Sequence, residues 1–403
     1  MSFSNDDDDD DDDDRRLFYA HYYLDLSPTI LRIKNNDAAV TNLYLHRRHF
    51  SERAWRRLGD IIGLNTHLEV LIIVFNGPLT SELLHGLQNN KSIERLKISR
   101  IGLQVAEKML SLAPFLTNNP RLRSTTLQSC GLGASSVDIL LAALSNRSED
   151  TLETLNLDGN DFSDVDLDVI VQVLSRSRSL TKLSLGKCCI GLKGCTSLSA
   201  LLRNQASNLT MLYLYGNSID DKCAEVLARS LAKNTKLNTL SLAGNRGITT
   251  RGWTSILDLV CNSVSVTSIN ESNHTLNCLN MQQRKDLLVK ALGDNDANIL
   301  YASLNMNCND DKMVVVRRKM IWSHARRTLN LGESNIKTAA MPLILGLIGN
   351  ETDETGVPLA QYHDPPLPMT RLDTIRIDSL YCILRSRPDL CEKACGSLTY
   401  CSV

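Results

Sequence analysis

Four cysteines near the C-terminus, Cys382, Cys391, Cys395 and Cys401, are the densest group of metal-capable side chains in this 403-residue chain. Cys391 and Cys395 would share a helix face at i, i+4 spacing, and four thiolates suffice for a structural zinc site. Their spacing matches no common zinc module, so packing of the thiols as small apolar groups is the simpler expectation. The eight histidines are scattered, with no His-Glu-x-x-His and no Cys-x-x-Cys pair. Gly186 and Gly191 have the spacing of a phosphate-binding loop, but Leu192-Lys193 stands where that loop needs a lysine followed by a hydroxyl. Arg317-Arg318-Lys319 and Arg326-Arg327 could touch nucleic acid or serve as a nuclear import signal. No recognition motif accompanies them, and a solvated face of a capping helix is the simpler reading. With no catalytic motif left, the chain is expected not to be an enzyme, to hold no cofactor or metal, and to bind no nucleic acid.

The elements that would carry any site are set by a repeated phrase, Leu-x-x-Leu-x-Leu-x-x-Asn/Cys. It runs at Leu152-Leu155-Leu157-Asn160, Leu180-Leu183-Leu185-Cys188, Leu209-Leu212-Leu214-Asn217 and Leu237-Leu240-Leu242-Asn245, with starts 28, 29 and 28 residues apart. Looser copies are Val40-Leu43-Leu45, Leu68-Leu71-Ile73-Asn76, Ile93-Leu96-Ile98 and Leu122-Thr125-Leu127-Cys130. A ninth copy is expected at Val266-Ile269, damaged by Glu271, with further traces at Ile299-Ala302-Leu304-Asn307 and Leu329-Leu331. The alternation Leu155, Asn156, Leu157 has the period of a strand with one buried face. Further on the period lengthens: Ala224, Leu227 and Leu231 recur at helical spacing. Each repeat therefore reads strand, turn, helix, return. One such unit cannot bury its apolar edge alone, so neighbours must stack.

The phrase and the helical stretch from Ala224 to Leu237 resemble the ribonuclease-inhibitor-like leucine-rich repeats. These also form the repeat domains of many immune receptors and of the Ran GTPase-activating protein. The resemblance implies an α/β, right-handed solenoid, a horseshoe with parallel strands on the concave face, helices on the convex face and a mainly helical C-terminal cap. It also implies that the Asn or Cys closing each phrase satisfies backbone groups where the strand bends away, which accounts for Cys130 and Cys188. The expected organisation is an acidic disordered tail at 1–16, an N-terminal cap at 17–39, about nine repeats at 40–275 with degenerate continuation to 335, and a cap at 276–403 with a Pro-rich loop near 351–370.

Charge is distributed unevenly. Residues 6–14 are nine consecutive aspartates, and removing them from the 45 acidic residues leaves 36 against 44 basic ones. Such a block repels itself and has no apolar surface to pack, so it reads as a solubilising tail or as a screen for a basic face of the solenoid. Leu17, Phe18, Tyr22, Tyr23 and Leu24 are expected in the cap, covering Val70, Ile72 and Val74. The N-terminus lacks the apolar stretch of a signal peptide, and the longest late apolar run, 341–348, is too short to span a bilayer. A cytoplasmic or nuclear monomer with reduced cysteines is expected. The Asn-x-Ser/Thr triplets, Asn90 and Asn273 among them, are read as chance matches.

Strand alternation turns the x residues of the phrase toward the inner surface. They include Arg95 and Lys97, Asp158, Lys182, and then Met211, Tyr213 and Tyr215 on one strand. Tyrosine and arginine give large rigid contact area with a polar tip and dominate binding hot spots. These seven residues are the candidate partner contacts of a non-enzymatic interaction scaffold whose partner is a protein. The alternative is a regulator of a small GTPase, like the activator of Ran. For that role Arg100 and Lys187, at strand-to-loop turns, are the nearest cationic groups.

Overall fold

A computed structural model describes residues 28–46, 52–74, 81–100, 102–103, 106–162, 164–262, 264, 266–279, 285–307, 315 and 319. The aspartate tract, the aromatic residues before 28, Asn76, Arg317-Arg318, Arg326-Arg327, the trace at Leu329-Leu331, the Pro-rich loop and the four C-terminal cysteines lie outside the described residues. The chain divides into two compact units, residues 1–230 with 239–248, and residues 231–238 with 249–403.

The first unit is built on one eight-stranded parallel sheet in strict sequence order. Its strands are β1 (Asn42–His46), β2 (Val70–Val74), β3 (Arg95–Ser99), β4 (Ser124–Gln128), β5 (Thr154–Asn156), β6 (Lys182–Ser184), β7 (Met211–Tyr213) and β8 (Thr239–Ser241). Helices α1 (Pro28–Lys34), α2 (Glu52–Leu64), α3 (Ser81–Leu87), α4 (Ala106–Asn118), α5 (Ala134–Ser145), α6 (Asp164–Leu174), α7 (Leu192–Arg203) and α8 (Asp221–Leu231) precede and connect them. Parallel strands need such crossovers. Helices pack about 8–10 Å apart and strands about 4.8 Å apart, so stacking bends this unit with its strands inside.

The core lies between the two layers. Leu155, Leu183, Leu212 and Leu240 sit side by side in register. All four are fully buried, as are Leu140, Ile170, Leu198 and Leu227 on the helices. Burying each such side chain stabilises the fold by roughly 1.5–3 kcal/mol. Between α2 and α3 the backbones themselves touch: a Cβ on Gly86 would overlap the backbone of Gly59.

The closing Asn/Cys of each phrase forms a ladder. Asn217 donates through Nδ2 to the carbonyls of Leu185 and Leu214 at 2.8 and 2.9 Å. Its Oδ1 accepts from the amides of Cys188 and Ile190 at 2.8 and 3.1 Å. Asn160 repeats the pattern with Leu127, Leu157, Cys130 and Leu132. Cys188 donates its thiol to the carbonyls of Leu157 and Gly186, and burial pushes that thiol up to about 12. It is therefore an unreactive structural group.

A second asparagine position, three residues before the first leucine of the phrase, stitches the return from helix to strand. Asn90 donates to the carbonyls of Ile62 and Asn65 and accepts from the amides of Ser92 and Ile93. Asn65 does the same with Ile33, His67 and Leu68. The triplets at Asn90 and Asn273 thus belong to the repeat, since both amides are buried and bonded.

Where the strand turns away, one position adopts left-handed backbone: Arg100, Ser129, Gly159, Lys187, Gly216 and Gly244 have φ between 53° and 74°. Glycine takes this conformation freely, whereas a side chain is strained there. A Lys187→Gly variant should be more stable by roughly 0.5–1 kcal/mol, the relief of strain slightly exceeding the extra freedom of the unfolded chain. Urea melts of the full chain would read the difference.

One expectation about the ends needs correction. Leu17, Phe18, Tyr22, Tyr23 and Leu24, expected to cover Val70, Ile72 and Val74, lie outside the described residues. In the described part of the expected cap, α1 packs on α2, burying Ile30 and Ile33, and Asn36 and Thr66 bond each other at 2.9 Å. In the second unit, the expected ninth copy at Val266-Ile269 is helix α10 (Val266–Glu271). Its place is taken by Leu276 and Leu279, both buried, where the amides of Asn277 and Cys278 reach the carbonyl of Asn238 as each earlier strand reaches its predecessor. The inserted helix lengthens this repeat, which hid it from a fixed period. Likewise Ile299-Ala302-Leu304 lies within α11 (Lys285–Met306), which packs on α9 (Thr250–Val260).

Candidate functional site

Three rows of side chains cross the inner face of the sheet, fixed by the strand register. The first runs Asn42, Val70, Arg95, Ser124, Thr154, Lys182, Met211, Thr239. The second runs Tyr44, Ile72, Lys97, Thr126, Asn156, Ser184, Tyr213, Ser241. The third, just past the strands, holds Asp158, Gly186, Tyr215 and Ala243, joined by backbone bonds from Gly159 to Gly186, Lys187 to Tyr215 and Gly216 to Ala243.

On β6 and β7 the large side chains interlock. The Lys182 ammonium stands 5.1 Å from the centre of the Tyr213 ring, a cation–π distance. The Tyr213 hydroxyl donates to the sulfur of Met211 at 3.8 Å. Tyr213 is half-buried and flanked in its row by the short, buried Ser184 and Ser241. The aromatic ridge on β7 therefore stands beside a low shelf of Thr239, Ser241 and Ala243 on the β8 side.

Tyr215 is anchored differently. Its ring passes over Gly186, where a Cβ would overlap the ring, and its hydroxyl donates to Asp158 Oδ2 at 2.8 Å. The other Asp158 oxygen accepts from the Ser184 hydroxyl at 2.7 Å and the Gly186 amide at 2.6 Å. Asp158 is 4% exposed, so its carboxylate serves this internal network rather than standing free for a partner. Burial, then the hydrogen bond to Asp158, holds the Tyr215 phenol well above the ordinary tyrosine range. The sign follows: the unfolded tyrosine ionises near pH 10 while the folded one resists. The stabilisation is present below that pH and is lost as the pH climbs beyond it. The phenolate absorbance difference between the native chain and Tyr215→Phe should titrate later than the other tyrosines, and Asp158→Asn should bring it down.

The seven sequence candidates thus fall into separate groups. Lys182, Met211, Tyr213 and Tyr215 share one cluster, with Asp158 beneath it. Arg95, exposed, and Lys97, half-buried, lie on β3, about 15 Å from β6 at three strand spacings. Gly186, which reads in sequence as an ordinary repeat turn, is the opening that lets Tyr215 reach Asp158. The available signal was that Asp158, Gly186 and Tyr215 hold the same place in three successive repeats. Tyr44, 57% exposed, belongs to the same face and was missed because its copy of the phrase is loose. Arg100 and Lys187 are exposed, at the left-handed turn.

In the second unit Lys319 is not part of a solvated basic face. It is fully buried and donates to the carbonyls of Val260 and Asn273 and to His274 Nδ1. Burial lowers its ammonium to about 7. Among the described residues no group of three or more His, Cys, Asp or Glu is placed to hold a metal, and no helix is long and apolar enough to cross a membrane.

No known family profile matches the chain. It is 32% identical over 155 residues to NACHT, LRR and PYD domains-containing protein 9 of Bos taurus, covering 38% of this chain and 15% of that protein. It is 27% identical over 241 residues to the ribonuclease inhibitor of Sus scrofa, covering 58% of this chain and 51% of the inhibitor. The chain therefore spans about half the length of one relative and a small part of the other. Internalin C2 of Listeria monocytogenes, a solved structure, is 21% identical with a TM-score of 0.33, covering 55% of this chain and 85% of its own. With the asparagine and cysteine ladders, the single parallel sheet and these relatives on the page, the chain is a leucine-rich-repeat protein of the ribonuclease-inhibitor-like class.

Proposed function

We propose that this protein is a non-enzymatic scaffold that binds a protein partner on the inner face of its sheet, centred on Tyr213. One observation carries the reading. On a face of mostly short side chains, Met211, Tyr213 and Tyr215 stand together, and Lys182, Asp158 and Gly186 hold them in place before any partner arrives. Rigid aromatic side chains lose little freedom on binding, and preorganisation leaves more of the contact energy as affinity. The shelf beside the ridge, lined by Ser241 and Ala243, would receive a protruding partner side chain. Lys182 favours a partner with a carboxylate near that protrusion.

The test begins with partners captured by the native full chain and measures each affinity again with Tyr213→Ala plus Lys182→Ala. Loss of a hot spot should weaken binding by roughly 30-fold or more, equivalent to about 2 kcal/mol. An Arg56→Ala variant, on the opposite helix layer, should bind as the native chain does. Equal binding by the Tyr213 and Lys182 variant would remove the site.

A further inference from the structure

Between β3 and β7 the open charge on the inner face is of one sign. Its rows hold Arg95 and Lys97 on β3 and Lys182 on β6. Among the described residues, none of the three has an ion-pair partner. The carboxylate in these rows, Asp158, is buried and bonded to Ser184, Gly186 and Tyr215. Other acidic groups stand on the rim, one residue before the first row. There Glu153 is paired with Arg123, and Glu94 precedes Arg95. Between the cations, β4 and β5 floor the face with Ser124, Thr126, Thr154 and Asn156, all half-buried. Among the described residues, the hydroxyls of Ser124, Thr126 and Thr154 have no hydrogen-bond partner.

We infer, resting on the site proposed at Tyr213, that the partner bound there contributes an extended acidic segment. It crosses the strands from β7 to β3 and sets one carboxylate near Lys182 and another between Arg95 and Lys97. Spacing gives a register. Three strand spacings are about 15 Å and an extended chain advances about 3.3 Å per residue, so the two carboxylates fall about four or five residues apart. The apolar side chain for the shelf follows beyond Lys182. The hydroxyls and the amide between the cations suit a peptide backbone, whose N–H and C=O groups both need partners. A nucleic-acid strand fits less well, because it carries a phosphate at every nucleotide and neither β4 nor β5 offers a cation to the rows. Glu94 on the rim repels carboxylates, which keeps the segment over the floor. Opposite charge speeds the encounter and turns basic chains away.

Selection of short random peptides on the immobilised full chain tests this register. Enriched sequences should share two acidic positions about four or five residues apart, with an apolar position to one side of them. Selection on Arg95→Ser plus Lys97→Ser should erase the acidic preference farther from the apolar position and keep the nearer one. Selection on Lys182→Ser should do the reverse, while circular dichroism melts show both variants folded. The best peptide from the native chain, made synthetically, should bind the Arg95 and Lys97 variant roughly tenfold more weakly at low salt. That difference should shrink near 1 M salt, where screening acts over about 3 Å. Acidic residues without fixed spacing, a preference unchanged by both variants, basic sequences, no enrichment, or an oligodeoxythymidylate held by Arg95 and Lys97 more tightly than the peptide would each overturn the inference. An apolar preference that depends on Tyr213 but lacks the acidic pair would overturn it and leave the site at Tyr213 standing. Selected peptides that bind Tyr213→Ala unchanged would remove that site and this inference with it.

Discussion

An Asn217→Ala variant should lose about 3–4 kcal/mol of unfolding free energy. The side chain donates to the carbonyls of Leu185 and Leu214 and accepts from the amides of Cys188 and Ile190. Asn217 itself is 9% exposed. Alanine would orphan the Leu185 carbonyl and the amides of Cys188 and Ile190, while the Leu214 carbonyl keeps the Asn245 amide as donor. Each buried polar group left without a partner costs roughly 1–3 kcal/mol, reduced where water can enter. An Asn217→Cys variant should fall between the two, because Cys130 and Cys188 already hold this position by donating their thiols to neighbouring carbonyls. A thiol replaces the donor half of the amide and leaves the two N–H groups unmet. Urea unfolding followed by far-ultraviolet circular dichroism would rank the three proteins. An alanine variant as stable as the native chain would show that the ladder is dispensable.

Gly86→Ala should cost about 3 kcal/mol for a different reason. Gly86 lies on α3 against Gly59 on α2, and a methyl group there would overlap main-chain atoms of Gly59 and Asp60. Main chain cannot rotate away as a side chain does, so the two helices must separate and the fully buried Leu58, Ile62, Leu83 and Leu84 must loosen with them. Overpacking of this kind costs roughly 1–3 kcal/mol and more where backbone must move. The loss should appear in hydrogen exchange as earlier opening of the first repeats, since each repeat leans only on its neighbours. Unchanged protection of 52–98 would contradict it.

Most of the scaffold was legible because a stacked repeat asks the same question of the chain every 25 to 30 residues. Leu155, Leu183, Leu212 and Leu240 answer it identically, and Asn160, Cys188, Asn217 and Asn245 answer it at one shared position, the thiol supplying only the donor half. A fixed period fails where an element is inserted. Val266 and Ile269 imitate the phrase while lying in α10, and the true successor at Leu276 stands 39 residues after Leu237. Composition could not distinguish a strand from a short helix there, because both bury an apolar pair. The asparagines that stitch the return, such as Asn65 and Asn90, carry no local signature of that role. Their bonds run to carbonyls 25–32 residues earlier, a separation no local pattern displays.

The candidate site was half visible for the same reason. Register and alternation identify which side chains face inward, so Met211, Tyr213, Lys182, Arg95 and Lys97 could be named from the chain alone. Alternation is a local property of a strand, and it needs no partner to be true. Whether an inward residue is free or engaged depends on atoms one or two repeats away. Asp158 faces inward yet is consumed by Ser184, Gly186 and Tyr215, because folding brings residues 57 positions apart to 2.8 Å. The periodic sequence is enough to specify the sheet, the helices and the two faces. The separation of Tyr213 from Tyr215, and of an open cation on β3 from one stacked on an aromatic ring on β6, arises only when the repeats stack and distant side chains compete for the same space.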